Sequence, residues 1–185
     1  MTGTDPGSLE SAPPSIVFVG PMGAGKTSIG RRVAKSLGLA FADTDALIVR
    51  EHGPIPDLFA TQGESAFRAI ERDVVRDALA RGTVVALGGG AVLDEGTRRA
   101  LSAHHVIFLT VGTRQIKRRL GTGQSRPLVA GDDPVARWEQ IFTERKPLYD
   151  EVSDVVFDTS RAPMTAIATD IAEWARKRLA SPAGE

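Results

Sequence analysis

In Gly20-Pro21-Met22-Gly23-Ala24-Gly25-Lys26-Thr27 the glycines, the lysine and the hydroxyl fall at the spacing G-x-x-x-x-G-K-[ST]. Glycines let the main chain wrap closely, so that consecutive N–H groups point at phosphate oxygens. A helix starting at the end of the run adds its partial positive charge, Lys26 adds a full one, and the Thr27 hydroxyl can ligate Mg²⁺. The chemistry implied is the binding of a nucleoside triphosphate.

Other residues could act on whatever is bound there. Asp43 and Asp45 lie two apart on what reads as extended chain, so both carboxylates lean to one side. Near a triphosphate, one can hold Mg²⁺ directly or through water, and the other can take a proton from an attacking hydroxyl. The bland account is a helix N-cap plus a turn aspartate; a strand end beside a phosphate loop favours the chemical one. Arg68 has Glu64 and Glu71 at i−4 and i+3. Either these form a solvated salt-bridge ladder, at about 0.3 kcal/mol per pair, or they orient an arginine that works at the edge of a buried face. Spacing alone leaves both accounts standing. Gly88-Gly89-Gly90 reads as close main-chain approach to a ligand rather than as a plain turn. Arg126 sits at the centre of a Gly-, Ser- and Pro-rich stretch, as on a lid that carries an arginine onto transferring phosphate. Arg145 sits where Pro147 should break or kink a helix and so aim the side chain inward. His52, His104 and His105 show no metal-ligand spacing and read as structural.

The elements that must hold these groups alternate along the chain. Apolar runs Ile16–Val19, Leu39–Asp43, Thr83–Leu87, Val106–Leu109 and Asp154–Phe157 read as strands. Between them come helices. The first runs Thr27–Leu37, with Ile29, Val33 and Leu37 on one stripe and Gly38 as its stop. A short helix begins at Asp45 and stops at Gly53, and a turn of helix follows over Asp57–Gln62. A long amphipathic helix covers Glu64–Arg81, with Phe67, Ile70, Val74 and Ala78 inward. Asp94 caps a helix to Ser102, Thr113 one to Leu120, and Asp133-Pro134 starts another. Pro163 opens the last, with Ile167, Ile171, Trp174 and Leu179 expected to face inward. The pattern predicts an α/β fold: a five-stranded parallel sheet with helices on both faces, in three layers. Ligands of such sheets sit at the carboxyl ends of the strands, where the candidate residues fall.

The chain has 185 residues, 23 basic and 23 acidic, and no cysteine. Its length suits one domain, expected over 15–180, with a disordered tail at 1–14, a mobile lid near 121–133 and a frayed end at 181–185. Zero net charge provides no field for nucleic acid or anionic membrane, so anion selectivity must come from individually placed cations. The absence of cysteine excludes disulfides and thiolate chemistry and fits a cytoplasmic setting. No apolar run is long enough for a membrane span. The expected partners are small molecules, and the expected state is a monomer.

GPMGAGKTSIG, FADTD, GESAFRAIE, LGGGAV, SRPLV and ERKPLYDEV, in this order, resemble the shikimate kinase family of P-loop kinases over roughly Ile16 to Phe157. The resemblance implies transfer of the γ-phosphoryl group of ATP to the 3-hydroxyl of shikimate with Mg²⁺, on the way to aromatic amino acids. It implies that Gly23, Ala24, Gly25, Lys26, Thr27 and Ser28 bind ATP phosphates, with Thr27 and Asp43 serving the metal. Asp45, Arg68, Gly89 and Arg145 would hold shikimate, with Asp45 as candidate base and the two arginines on its carboxylate. Lys26 and Arg126 would act on the transferring phosphate, and Arg119 and Arg161 would line the adenine pocket. A gluconate-type sugar-acid kinase shares the loop and also needs cations for a carboxylate. A catalytically silent module that binds ATP or shikimate is the alternative from another class.

Overall fold

The computed structural model describes residues 13–120 and 133–180. The expected tail up to residue 12, the lid segment 121–132 with Arg126, and the end 181–185 lie outside the described residues, as does the side chain of Arg119.

β1 (Ile16–Val19) is β-branched and aromatic and buried at every position. It is flanked by β3 (Val84–Ala86) and β4 (His105–Thr110), with Ile16 in register with both Val84 and His105. β2 (Phe41–Asp43) and β5 (Val155–Asp158) form the edges of a five-stranded sheet of order β2-β3-β1-β4-β5, parallel throughout. The chain steps from β1 out to β2, back to β3, and then across β1 to β4. That reversal opens the crevice at the carboxyl end of β1 in which doubly wound sheets bind ligands.

Alternation along the strands divides the core between two faces. Ile16, Phe18, Ile107 and Leu109 face α1 (Lys26–Leu37) and α7 (Met164–Ala180), packing with Ile29, Val33, Ile167 and Ile171. Val17, Val19, Val85 and Phe108 face α3 (Ile55–Leu79) and α6 (Pro134–Val152), packing with Val75, Leu79 and Tyr149. Burying one such aliphatic or aromatic side chain fully stabilises the fold by about 1.5–3 kcal/mol. These two faces lock the sheet that carries the site. α2 (Thr44–His52) adds Ile48 to a small cluster with Leu58, Phe67 and Val74. A 3-10 turn, Ala91–Leu93, leads into α4 (Glu95–Leu101), which is capped by the Asp94 carboxylate accepting the Thr97 N–H. α5 (Thr113–Leu120) precedes the undescribed segment.

The two helices expected either side of Gly63 are the two arms of α3, which meet at a kink where Gly63 takes a positive-φ, non-helical backbone (φ 81°, ψ 170°). Two local expectations are corrected. Pro147 does not end α6, which continues to Val152. The N–H it lacks would have reached residue Thr143, which is exposed, as is Pro147 itself, so water can serve the freed carbonyl. Leu179 is exposed rather than inward, because α7 buries Ile167, Ile171 and Ala175 and then outruns the surface it packs on.

Candidate active site

The phosphate loop follows from where β1 stops and α1 starts. Gly20, Gly23 and Gly25 take φ of 136°, 79° and 95°, a region side chains avoid, so only glycines allow this wrap. The amides of the loop and of the first turn of α1 are thereby gathered at a helix N-terminus, where partial positive charge favours an anion. The Lys26 ammonium is held over the loop, its Nζ donating to the carbonyls of Gly20 at 2.7 Å and Pro21 at 3.0 Å. Thr27 and Ser28 are exposed at the mouth, whereas Ala24 is buried beneath it. From α6, the buried Trp138 donates its indole N–H to the Met22 carbonyl at 3.0 Å, bracing the loop from below.

Asp43 ends β2 beside this loop. One carboxylate oxygen accepts the Thr27 hydroxyl at 2.7 Å, and the other caps α2 through the Ala46 N–H at 3.2 Å. The N-cap account and the chemical account therefore hold for the same residue. A hydroxyl and a carboxylate oxygen side by side are hard donors of the kind Mg²⁺ takes, since that ion is held by one or two carboxylates plus phosphates and water. Asp45 lies in the first turn of α2, the short helix expected to begin there, so it does not share extended chain with Asp43; it is exposed, with its carboxylate against Gly88.

Gly88, Gly89 and Gly90 lie at the carboxyl end of β3, and none of them has a positive φ. What they provide is room. A Cβ on Gly88 would collide with the Asp45 carboxylate and lie 3.0 Å from that of Glu71; one on Gly90 would lie 2.6 Å from the Arg68 guanidinium. The close approach is thus to the protein's own charged side chains. Gly89 also faces the phosphate loop, its missing Cβ 3.7 Å from the Met22 nitrogen. The two loops share a wall.

Arg68 sits in this cleft with 20% of its side chain exposed. It donates to Glu71 at 2.5 Å and to Glu64 at 3.3 Å, and lies over the rings of Phe67 (5.3 Å) and Phe59 (6.0 Å). The ladder is real, yet it serves to aim the guanidinium at Gly90. Glu71 itself is buried, and burial holds its carboxyl above the ordinary glutamate range while Arg68 pulls the other way. Arg145 comes from α6 and donates to the Gly89 carbonyl at 3.0 Å; Tyr149, one helical turn on, donates its hydroxyl to the same oxygen at 2.6 Å. A cleft of about 450 Å³ opens beside Arg68, lined by Glu64, Ser65, Arg68, Leu93 and Asp94; Asp45, Arg145 and the three glycines are not part of that lining. Two guanidinium groups on one glycine loop, with a carboxylate at its start, can receive an anionic molecule that bears hydroxyls.

Gly23 to Ser28, Asp43, Asp45, Arg68, Gly89 and Arg145 are thus brought together. Arg161 is not among them: it is exposed on the turn between β5 and α7, where Ser160 accepts the Gly112 N–H at 2.7 Å and the Gln115 amide at 2.6 Å. The start of α7 just beyond that turn does approach the loop, since Met164 lies 3.7 Å from the missing Cβ of Gly25. Glu71 was expected as one of two carboxylates orienting Arg68, but not as buried, and the roles of Tyr149 and Trp138 were not foreseen. Glu71 was legible, because it falls on the stripe Phe67, Val74, Ala78 and is the one charge among buried neighbours.

A sequence model of the shikimate kinase family matches residues 22–176. The chain is 45% identical to the shikimate kinase of Mycobacterium avium, over 80% of this chain and 85% of that one. It is 43% identical to that of Mycobacterium tuberculosis, over 91% and 96%. Among solved structures, it is similar to the shikimate kinase from Acinetobacter baumannii in complex with shikimate, with a TM-score of 0.84 and 32% identity over 92% of this chain and 97% of that one.

Proposed function

The chain belongs to the shikimate kinase family, and we propose that its two adjoining loops divide the reaction between them, the phosphate loop holding ATP and the triple-glycine cleft holding the acid. It is an ATP-dependent kinase that uses Mg²⁺ and phosphorylates shikimate on the 3-hydroxyl. The observation that carries the division of labour is the convergence of Arg68 and Arg145, from α3 and α6, on one glycine loop beside Asp45.

Each role follows from chemistry. The amides of Gly23, Ala24, Gly25, Lys26, Thr27 and Ser28 cradle the phosphates, and the Lys26 ammonium offsets charge on the group in transfer. Thr27 and Asp43 hold Mg²⁺, which neutralises phosphate oxygens when bound. Arg68 and Arg145 grip the carboxylate through paired charge-assisted bonds, each contributing about 1.5–3 kcal/mol. Glu64 and Glu71 keep the Arg68 fork in place. Asp45, beside Gly88, orients the reacting hydroxyl and accepts its proton. From the resemblance alone, Arg126 would act on the transferring phosphate and Arg119 on the adenine, with Arg161 as a further candidate there. A monomer acting on small molecules belongs to the same proposal, and a chain without cysteine suits the cytoplasm.

A coupled ADP-release assay with shikimate and gluconate side by side tests the choice of acid. A preference for gluconate would overturn it. In the same assay, Asp45→Asn should lower kcat by about 10²–10⁴-fold while ATP still binds; a near-normal kcat would remove Asp45 as base. Arg68→Ala or Arg145→Ala should raise the shikimate KM by about 10–100-fold and leave the ATP KM nearly unchanged. Equal effects on both substrates would argue against the carboxylate clamp.

A further inference from the structure

The peptide between Gly89 and Gly90 has glycine on both sides, so nothing local stops it from rotating. Its carbonyl is nevertheless fixed. Arg145 takes one lone pair and the Tyr149 hydroxyl the other, both from α6. Tyr149 is well suited to hold a position: it is buried, with its ring 5.1 Å from that of Phe108 in the centre of the sheet. Burial pushes its hydroxyl up to about 12, so it stays a donor throughout the working range. The peptide is trans. With the carbonyl pinned toward α6, the Gly90 N–H must point the opposite way. No described residue accepts it, and Gly90 lies against the Arg68 guanidinium.

We propose that Tyr149 is a positioning residue of the acid site: its hydroxyl sets the Gly89–Gly90 peptide so that the Gly90 N–H adds a main-chain donor for the substrate carboxylate beside Arg68. This rests on the carboxylate clamp given above. The hydroxyl never touches substrate. It acts by choosing one of the orientations that two glycines leave open, while Arg145, with a single bond to the same oxygen, is left to hold it alone when the hydroxyl is removed.

The test compares Tyr149→Phe with the unaltered protein on shikimate, on its neutral carboxamide and on ATP, with thermal melting alongside. Tyr149→Phe should raise the shikimate KM about fivefold and leave the KM values for carboxamide and ATP within about twofold, so the preference for the acid narrows. Parallel rises for all three would mean a general structural role and overturn the proposal, as would an unchanged shikimate KM. Equal KM values for acid and carboxamide in the unaltered protein would instead remove the carboxylate reading, and the proposal with it. A measurement independent of any variant uses ¹⁵N-glycine labelling: the Gly90 amide proton should move downfield on adding shikimate and not on adding the carboxamide. An unmoved Gly90 resonance would equally overturn it.

Discussion

The phosphate loop and the triple-glycine cleft share a wall at Met22 and Gly89, yet they are built in opposite ways. The loop is main chain, one continuous run whose glycines are needed for their φ values. Its ligand groups are amides that follow from backbone shape alone. The cleft is side chain, assembled from α2, α3 and α6 around glycines with ordinary φ that are needed for their missing Cβ. A site of the first kind tolerates change in everything but its own few residues. A site of the second kind depends on how far-separated segments pack, which is where selectivity for one acid over another can be tuned.

The largest effect should come from the one side chain on which the main-chain loop does depend. Lys26→Met removes a charge held by two of the loop's own carbonyls, and should lower kcat by about 10³-fold or more with the shikimate affinity kept. Steady-state kinetics with equilibrium binding of both substrates would check this. Loss of shikimate affinity as well would mean that the two loops are not separable.

A pair of glycine substitutions sharpens the contrast. Gly25→Ala forces a side chain into left-handed backbone and should weaken ATP binding by about 10–100-fold. Gly90→Ala keeps an allowed backbone but displaces the Arg68 guanidinium, and should weaken shikimate by about tenfold. Calorimetry on each ligand separates them. A Gly90→Ala variant that binds shikimate normally would show that the space around Arg68 is not filled to its limit.

The same contrast explains what could be read in advance. The phosphate loop was fully legible, because its function needs only contiguous residues with fixed spacing. The parallel sheet followed from alternating apolar runs, and the order of candidates along it from the rule of strand ends. Arg68 stayed undecided, since Glu64 and Glu71 fit a surface ladder as well as a cleft, and only the packing of Gly90 against the guanidinium separates them. The triple glycine was read as close approach to a ligand; a second reason for it is the space that Asp45 and Arg68 occupy beside Gly88 and Gly90. Tyr149 and Trp138 were missed because their hydrogen bonds reach across the chain to the Gly89 and Met22 carbonyls, and no local pattern encodes such partners. Pro147 does not break α6, since the carbonyl it leaves free lies on an exposed face that water can reach, while Arg145 does point inward as expected.

The smallest expected effect tests how dry the cleft is. Glu71 is buried and holds Arg68, and burial keeps its carboxyl above the 4.5 of a free glutamate against the pull of that arginine. The folded state therefore binds this proton more tightly than the unfolded chain does. Its contribution is full below pH 4.5 and is lost as pH rises through the raised value. Glu71→Gln cannot titrate, so its denaturant-unfolding stability should fall less steeply than that of the unaltered protein as pH is raised from the acid side. At neutral pH it should also loosen Arg68 and raise the shikimate KM, by less than Arg68→Ala does. Identical pH slopes would mean that the guanidinium fully offsets burial. The cleft would then be as well solvated as the phosphate loop beside it, and its selectivity would have to come from shape rather than from charges held away from water.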